Sequence, residues 1–268
     1  MLTGAADAVA AARRLVDAAE RVTVLTGAGI STDSGLPDFR GPKGLWTRDP
    51  AAERASNIDV YVSDAEVRRS NWARRASGAL WADVEPNRGH EALVQLEKRG
   101  KLRLLITQNV DGLHQRAGSD PERVVEIHGT TRKVQCLACD YRDDIEVALE
   151  RVRAGEEDPG CPLCGWILKS ATVSFGQSLD PVDLDRAERA STECDLFLAV
   201  GTTLAVSPIN RTAAIAVHSG ARLVIVNGEA TEFDPLADVL VRASISEVLP
   251  AICGMAGTAG ASGSRPRD

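Results

Sequence analysis

The stretch VTVLTGAGISTDSGLPDFRGPKGLW, residues 22–46, decides the fold. It opens with a short β-branched and apolar run that stops at Gly27, which predicts a buried strand. The small residues Gly27, Ala28 and Gly29 then predict a tight turn that brings backbone N–H groups close to an anion. Residues 31–33 offer side-chain oxygens suited to capping a helix. This layout is typical of a dinucleotide site.

The glycine turn alone does not decide between a ligand site and a plain strand-to-helix connection, because the third glycine of the full dinucleotide fingerprint is missing. The next segment, GLPDFRG at residues 35–41, places a proline, an acid, an aromatic ring and an arginine between two glycines. Such a segment is unusual as a plain loop and predicts a lid over a bound ligand.

Composition places the chain among ordinary globular proteins. It has 268 residues, 44% of them hydrophobic, and a net charge of −7. A mildly acidic chain is not expected to bind nucleic acid or an anionic membrane directly. No window approaches the roughly 20 apolar residues of a membrane span, and residues 1–20 lack the pattern of a secretory signal. We therefore expect a cytoplasmic protein of one large domain with an insertion, or of two modest domains.

Apolar runs recur along the chain, and each ends in polar or glycine-rich residues. After the first run, further strands are predicted at residues 102–106, 124–127, 196–200 and 223–226. Helices are predicted before the first strand, at residues 5–20, and between later strands, at residues 90–99, 184–193 and 208–219. This alternation predicts a parallel sheet covered on both faces. The ends of the five strands should converge on one crevice, where such sheets bind ligands.

Two segments depart from this pattern. Residues 47–85 read as a small helical insertion, and the aromatic residues in and beside it are Trp46, Tyr61, Trp72 and Trp81. Packing in a helical core is the favoured interpretation of these rings. The tail, residues 254–268, is rich in glycine, alanine and serine, and its low apolar content predicts disorder.

Two CxxC pairs lie in the middle of the chain, at Cys136 and Cys139 and at Cys161 and Cys164, with 21 residues between the pairs. Four thiolates leave no open position on a tetrahedral ion, so this pattern predicts a structural zinc site. A redox dithiol or inert buried thiols are the alternatives. The remaining cysteines, at positions 194 and 253, are isolated beside apolar segments and are expected in the core.

Further motifs follow the predicted strands: TQNVDGLH at residues 107–114, EIHG at 126–129, FG at 175–176, GTTLAVSP at 201–208 and IVNGE at 225–229. With GAGIST, DSGLPDFRG and the cysteine pairs, they resemble the sirtuins, the NAD-dependent protein lysine deacylases. The resemblance covers about residues 22–249. It implies an α/β fold with a Rossmann-like parallel sheet domain (residues 1–46, 86–130 and 172–253), a small helical insertion (47–85), a small inserted zinc-binding module (131–171) and a tail (254–268).

The resemblance implies three catalytic residues. His128 would accept a proton from a ribose hydroxyl of NAD, Asn109 would orient the ribose or a water, and Asp111 would hold the nicotinamide carboxamide. A histidine near its ordinary pKa of about 6.5 suits that task. In isolation a strand-end histidine is more often structural, and Asn and Asp favour turns, so the motifs carry the assignment. The three other histidines receive no role.

The resemblance also implies contacts to NAD and to the substrate. Arg40 would meet the pyrophosphate, Asn227 and Glu229 the adenine ribose, and Ile245 the adenine. The full NAD set is Gly27, Ala28, Gly29, Ile30, Ser31, Asp38, Phe39, Arg40, Trp46, Gln108, Asn109, Val110, Asp111, Gly201, Thr202, Thr203, Ser207, Asn227, Gly228, Glu229 and Ile245. The substrate set is Val173, Phe175 and Gly176, whose backbone would pair with the substrate as an added strand. Gln177 replaces the acid that the family commonly has after FG.

The implied reaction is the NAD-dependent removal of acyl groups from protein lysines, which releases nicotinamide and O-acyl-ADP-ribose. Members that prefer succinyl or malonyl groups carry a tyrosine three residues before an arginine. Here Trp72 stands three residues before Arg75, so neutral acyl groups are favoured, acetyl first and longer lipid-like chains second. The expected partners are acylated-lysine proteins. Two alternatives stay open, which are a protein mono-ADP-ribosyltransferase and a non-catalytic, NAD-responsive binding module stabilised by zinc.

Overall fold

The computed structural model describes residues 4–38, 44–78 and 84–255. Within these residues the chain forms nine strands: β1 (Val22–Thr26), β2 (Leu102–Thr107), β3 (Val124–Glu126), β4 (Gly129–Cys136), β5 (Arg142–Asp144), β6 (Leu168–Thr172), β7 (Leu196–Val200), β8 (Arg222–Val226) and β9 (Val239–Val241). Six of them form one parallel sheet in the order β3-β2-β1-β7-β8-β9, and the other three form an antiparallel sheet in the order β5-β4-β6.

The same described residues form eleven α-helices: α1 (Ala5–Ala18), α2 (Leu45–Arg48), α3 (Pro50–Arg54), α4 (Ile58–Ser63), α5 (Ala65–Ala76), α6 (Arg88–Lys98), α7 (Leu113–Ala117), α8 (Ile145–Arg153), α9 (Pro181–Glu193), α10 (Arg211–His218) and α11 (Ile245–Cys253). None of the helices in this part of the chain is long and apolar enough to cross a membrane. Residues 256–268, most of the predicted disordered tail, lie outside the described residues.

The parallel sheet is buried on both faces. Successive side chains of a strand point to opposite faces, so Val24 packs with α1, α6 and α11 while its neighbour Leu25 packs with α9 and α10. Every residue of β1 and β7 is buried, which explains why β7 is a continuous apolar run and why β1 contains only valine, leucine and threonine. The predicted α/β class with a parallel sheet is therefore confirmed.

The predicted strands match the observed ones to within one residue at each end, and residues 196–200 match β7 fully. The sequence analysis did not predict β9 or the three strands β4, β5 and β6 of the antiparallel sheet. The helix predicted at residues 208–219 is wrong at its start. The N–H groups of Arg211 and Thr212 bond to carbonyls three residues back, so residues 208–210 form a tight turn and α10 begins at Arg211.

The strand order fixes where a ligand can bind. The chain runs from β1 outward to β2 and β3, and later returns beside β1 with β7 before continuing outward to β8 and β9. The order therefore reverses between β1 and β7. In open parallel sheets, ligands bind outside the carboxyl ends of the strands at such a switch point.

The helical insertion and the antiparallel sheet share one apolar core. Trp72 of α5 is fully buried against Val134 of β4, Leu149 of α8 and Leu168 of β6. The Tyr61 hydroxyl donates a hydrogen bond to the Leu168 carbonyl at 2.9 Å. The aromatic residues Trp72 and Tyr61 therefore pack in a core, as predicted. The other two, at positions 46 and 81, have no described side chain.

Candidate active site

The ends of the five predicted strands meet at one cleft of about 1680 Å³, as predicted. Its lining includes Gly27 after β1, Gln108 after β2, His128 after β3, Gly201 after β7 and Asn227 after β8. Pockets for single small ligands are typically about 300–1000 Å³. The cleft therefore has room for a dinucleotide together with part of a second reactant.

The glycine turn after β1 packs directly against the turn after β7. A Cβ atom on Gly27 would lie 2.7 Å from the Gly201 carbonyl oxygen, and one on Gly29 would lie 2.8 Å from the Gly201 Cα. The Gly27 N–H donates to the Val200 carbonyl at 3.0 Å and the Gly29 N–H to the Gly201 carbonyl at 2.9 Å. The prediction that the N–H groups of Gly27 and Gly29 approach an anion is therefore wrong. These two N–H groups bind the neighbouring chain segment, and the glycines permit that close approach.

Gln108 ties two strand ends together across the switch point. Its side-chain Nε2 donates to the Thr202 Oγ1 at 2.8 Å, and the same oxygen accepts the Leu204 N–H at 3.1 Å. The residues after β2 and after β7 are thus held in one hydrogen-bonded unit. Side chains predicted from two distant motifs to contact NAD are in direct contact with each other.

His128 lies at the junction of the two sheets, between the end of β3 and the start of β4. Its Nδ1 is 3.0 Å from the Gln108 carbonyl oxygen. A carbonyl only accepts hydrogen bonds, so Nδ1 carries the hydrogen, and the neutral ring then has its lone pair on Nε2. His128 lines the cleft. Its backbone carbonyl also accepts the Val173 N–H at 2.7 Å, which links it to the segment after β6.

Ser31 joins the other two residues expected to be catalytic. Its hydroxyl donates to Asp111 Oδ2 at 2.8 Å and accepts from Asn109 Nδ2 at 3.1 Å. Asp111 Oδ1 accepts the Leu113 N–H at 3.0 Å. Burial raises the pKa of Asp111, and the two donated hydrogen bonds oppose that shift. Among the described residues nothing donates to the Asn109 side-chain oxygen, so this oxygen can accept a hydrogen bond from a ligand.

Two further histidines support this network, and sequence reasoning gave them no role. His90 Nδ1 accepts the Asn87 N–H at 3.2 Å, so its Nε2 carries the hydrogen and lies 3.5 Å from the Ser31 hydroxyl. His114 Nε2 lies 3.0 Å from the Thr26 hydroxyl. The rings of His90 and His114 pack edge to face, with their centroids 4.9 Å apart. Burial lowers the pKa of His90 to about 4 and that of His114 well below its usual value. Both rings are therefore neutral at pH 7.

Lys169 and Arg75 also line the cleft, and neither was predicted to contact NAD or the substrate. Lys169 of β6 is 4% exposed, and its ammonium donates to the Thr172 carbonyl at 2.5 Å. Burial lowers its pKa to about 7 and that of Arg75 to about 10. Among the described residues neither forms an ion pair. The LKSAT sequence of β6 has no apolar pattern that could have identified its lysine as buried.

The remaining predicted residues fall into three groups. Those that also line the cleft are Ala28, Gly29, Asp38, Asn109, Val110, Val173, Phe175, Gly176, Thr202, Thr203, Ser207, Gly228, Glu229 and Ile245. Ile30, Ser31 and Asp111 are not among the lining residues; the first two are at most 2% exposed, and Asp111 is half-buried. Phe39 and Arg40 lie outside the described residues, and for Trp46 only the backbone is described.

The four cysteines of the two CxxC pairs come together as predicted. All four Sγ atoms lie within 4.8 Å of one another, with 3.5 Å between Cys136 and Cys164 and 3.6 Å between Cys139 and Cys161. A disulfide would require about 2.05 Å. Four thiolates around one zinc ion, at Zn–S distances of about 2.3 Å, lie about 3.8 Å apart. The cluster therefore fits one structural zinc ion.

Comparison with known proteins agrees with this geometry. Residues 27–208 match the model of the Sir2 family. The chain is 51% identical to NAD-dependent protein deacetylase 2 of Streptomyces coelicolor over 232 residues, which cover 86% of this chain and 95% of that protein. It is 40% identical to NAD-dependent protein deacetylase 1 of Bradyrhizobium diazoefficiens over 243 residues, 90% of this chain and 93% of the relative.

Solved structures show the same fold. One chain, from work on the mechanism and regulation of Sir2 enzymes, superposes with a TM-score of 0.82 at 37% identity, covering 92% of this chain and 96% of that one. A complex of Sir2 with a p53 peptide and NAD+ gives a TM-score of 0.78 at 32% identity, covering 89% and 94%. The resemblance found in the motifs is thus confirmed, and the chain belongs to the Sir2 family.

Proposed function

We propose that this chain uses NAD to remove acyl groups, acetyl first, from lysine side chains of proteins. The relatives from Streptomyces coelicolor and Bradyrhizobium diazoefficiens carry the name NAD-dependent protein deacetylase. A Sir2 structure contains a peptide together with NAD+, and another contains a propionylated peptide. The products are nicotinamide and O-acyl-ADP-ribose.

One observation carries the proposal. His128 lines the cleft at the switch point, and its Nδ1 donates to the Gln108 carbonyl. This hydrogen bond fixes the tautomer in which Nε2 holds the lone pair. A base is thereby held at the carboxyl edge of the sheet, where a dinucleotide binds. The reaction needs a base of this kind, because a ribose hydroxyl must lose its proton when it attacks the acyl group.

The other residues of the network position the reactants. NAD supplies the ribose that receives the acyl group and the nicotinamide that leaves. Asp111 would accept hydrogen bonds from the nicotinamide carboxamide, with Ser31 and the Leu113 N–H fixing its carboxylate. Asn109 is fixed through its side-chain nitrogen, so its oxygen would orient the ribose or a water. Fixed dipoles of this kind need no rearrangement during the reaction.

The rest of the predicted NAD contacts extend along the same edge of the sheet. Thr202 and Ser207 would lie beside the phosphates, and Asn227 and Glu229 would bind the adenine ribose. Asn227 is held by its own side chain, which donates to the Glu229 carbonyl at 2.9 Å. The predicted contacts of Phe39, Arg40 and Trp46 stay predictions, since no side-chain position supports them.

The expected substrates are acylated-lysine proteins that enter the cleft beside Val173 and Phe175. We place the activity in the cytoplasm, because a reducing compartment keeps four zinc-binding thiols from forming disulfides. Direct contact with nucleic acid is not expected from a chain with a net charge of −7.

The test is the NAD-dependent deacylation of an acetyl-lysine peptide, followed by mass spectrometry of the peptide and of O-acetyl-ADP-ribose. The wild-type chain should release one nicotinamide for each acetyl group removed, and His128→Ala should lose at least about 100-fold in kcat. His218→Ala is the matched control, because His218 is exposed on α10 and does not line the cleft. Nicotinamide release with ADP-ribose left on the protein acceptor would instead indicate an ADP-ribosyltransferase.

A further inference from the structure

The segment after β6, residues 173–177, has one edge that is occupied by the protein itself. The Phe175 N–H donates to the Ser56 carbonyl at 2.9 Å, and the Ile58 N–H donates to the Phe175 carbonyl at 2.9 Å. The Val173 N–H donates to the His128 carbonyl at 2.7 Å. Among the described residues, the backbone groups of Ser174, Gly176 and Gln177 make no hydrogen bond to these neighbouring elements.

Ser174 and Gln177 instead form two hydrogen bonds with each other. The Gln177 N–H donates to the Ser174 carbonyl at 3.0 Å, and the Ser174 N–H donates to the Gln177 side-chain oxygen at 2.9 Å. The first bond closes a four-residue turn, in which Gly176 has a φ of +87°. The second bond requires a side-chain acceptor at position 177, and it stabilises the closed turn.

The two bonds decide which groups a substrate strand can use. Among the described residues, no hydrogen bond is made by the Val173 carbonyl or by the N–H and carbonyl of Gly176. Val173 and Gly176 belong to the predicted substrate set and line the cleft. The available backbone groups therefore flank the Ser174–Gln177 turn, and their spacing depends on whether the turn stays closed.

We propose that Gln177 is a positioning residue for the acylated peptide, whose side chain holds the 174–177 turn closed so that the backbone groups of Val173 and Gly176 receive the substrate. This inference rests on the proposed function. It explains how an amide serves at a position where the family commonly has an acid, because an amide oxygen and a carboxylate oxygen both accept the Ser174 N–H. The side chain acts through the turn and makes no contact with the reacting atoms.

Three variants test the role. Gln177→Met keeps the size of the side chain and removes the acceptor, whereas Gln177→Glu keeps an acceptor. Gln95→Met is the matched control, since Gln95 lies on α6 and does not line the cleft. Binding of an acetyl-lysine peptide without NAD is measured by calorimetry, and KM for peptide, KM for NAD and kcat are measured in the full reaction.

Loss of one neutral hydrogen bond that preorganises a binding surface corresponds to about a fivefold change in affinity. Gln177→Met should raise the peptide Kd and the peptide KM by about fivefold, with kcat and the KM for NAD within about twofold of wild type. Gln177→Glu and the control should bind peptide like the wild type. Unchanged peptide Kd in Gln177→Met, or equal losses for peptide and NAD, would overturn the inference. A wild-type chain that binds peptide but releases no nicotinamide would refute the proposed function instead.

Discussion

Gly129 and the carbonyl of Ala171 approach so closely that a Cβ atom on Gly129 would lie 2.0 Å from the Ala171 oxygen. Gly129 also has a φ of +75°, and it pairs with Thr172 where β4 meets β6. This contact joins β4 to β6 within the antiparallel sheet, directly after His128. The glycine of the EIHG motif is thus required by the close pairing of these two strands.

Gly129→Ala should destabilise the protein strongly. The left-handed backbone costs a residue with a Cβ about 1–2 kcal/mol, and the clash with backbone atoms adds to that, so we expect a loss of at least about 3 kcal/mol. Chemical denaturation measures the free energy of unfolding. Gly220→Ala is the matched control, since Gly220 has a φ of +93° with nothing within 4 Å of its Cβ position. A Gly129→Ala variant no less stable than this control would contradict the expectation.

Ser31→Ala should reduce turnover with little change in fold stability. The substitution removes the hydroxyl that donates to Asp111 and accepts from Asn109, so both side chains lose their fixed orientation. We expect kcat to fall by about tenfold to 100-fold, because misoriented groups stabilise the transition state poorly. Steady-state kinetics and thermal unfolding are measured together. The exposed Ser219 provides the control variant Ser219→Ala, and equal kcat in both variants would rule out the role of Ser31.

The buried histidines should make stability depend on pH. Burial lowers the pKa of His90 to about 4, below its usual 6.5. Between these values the unfolded chain binds a proton that the folded chain excludes, so stability is lost as pH falls from about 6.5 toward 4. The shift corresponds to about 3 kcal/mol at most. Unfolding of the wild type and of His90→Asn is compared between pH 7 and pH 5, and the variant should lose less stability. An equal loss of unfolding free energy in the two proteins between pH 7 and pH 5 would refute the assignment of this pH dependence to His90.

Residue patterns predicted the sheet and the position of the cleft, but they could not predict how the site is built. Short β-branched and apolar runs such as Val22–Thr26 identify buried strands because both faces of the sheet are covered. In contrast, the Gly29 N–H binds Gly201, and Ser31 meets Asp111, His90 and Asn109 through the fold alone. No local pattern carries such long-range contacts. The same holds for Lys169, which is buried in β6 of the antiparallel sheet.

The four-cysteine cluster allows a test of whether zinc binding affects peptide binding in the cleft. Cys136 and Cys161 lie in one apolar core with Trp72, and the helical insertion that carries Trp72 also holds Phe175 through Ser56 and Ile58. Zinc removal should loosen this core, since bound metal stabilises the folded module.

We therefore expect about one zinc ion per chain, and chelation should abolish deacylation and raise the peptide Kd. The change in Trp72 surroundings should be visible by fluorescence. Cys139→Ser should lower the zinc content and reproduce these losses, because three thiolates leave the tetrahedral shell incomplete. Cys194→Ala is the control, since Cys194 is buried against β-sheet residues of the parallel domain, away from the four-cysteine cluster. Full peptide affinity in zinc-free protein would show that the two regions are not coupled.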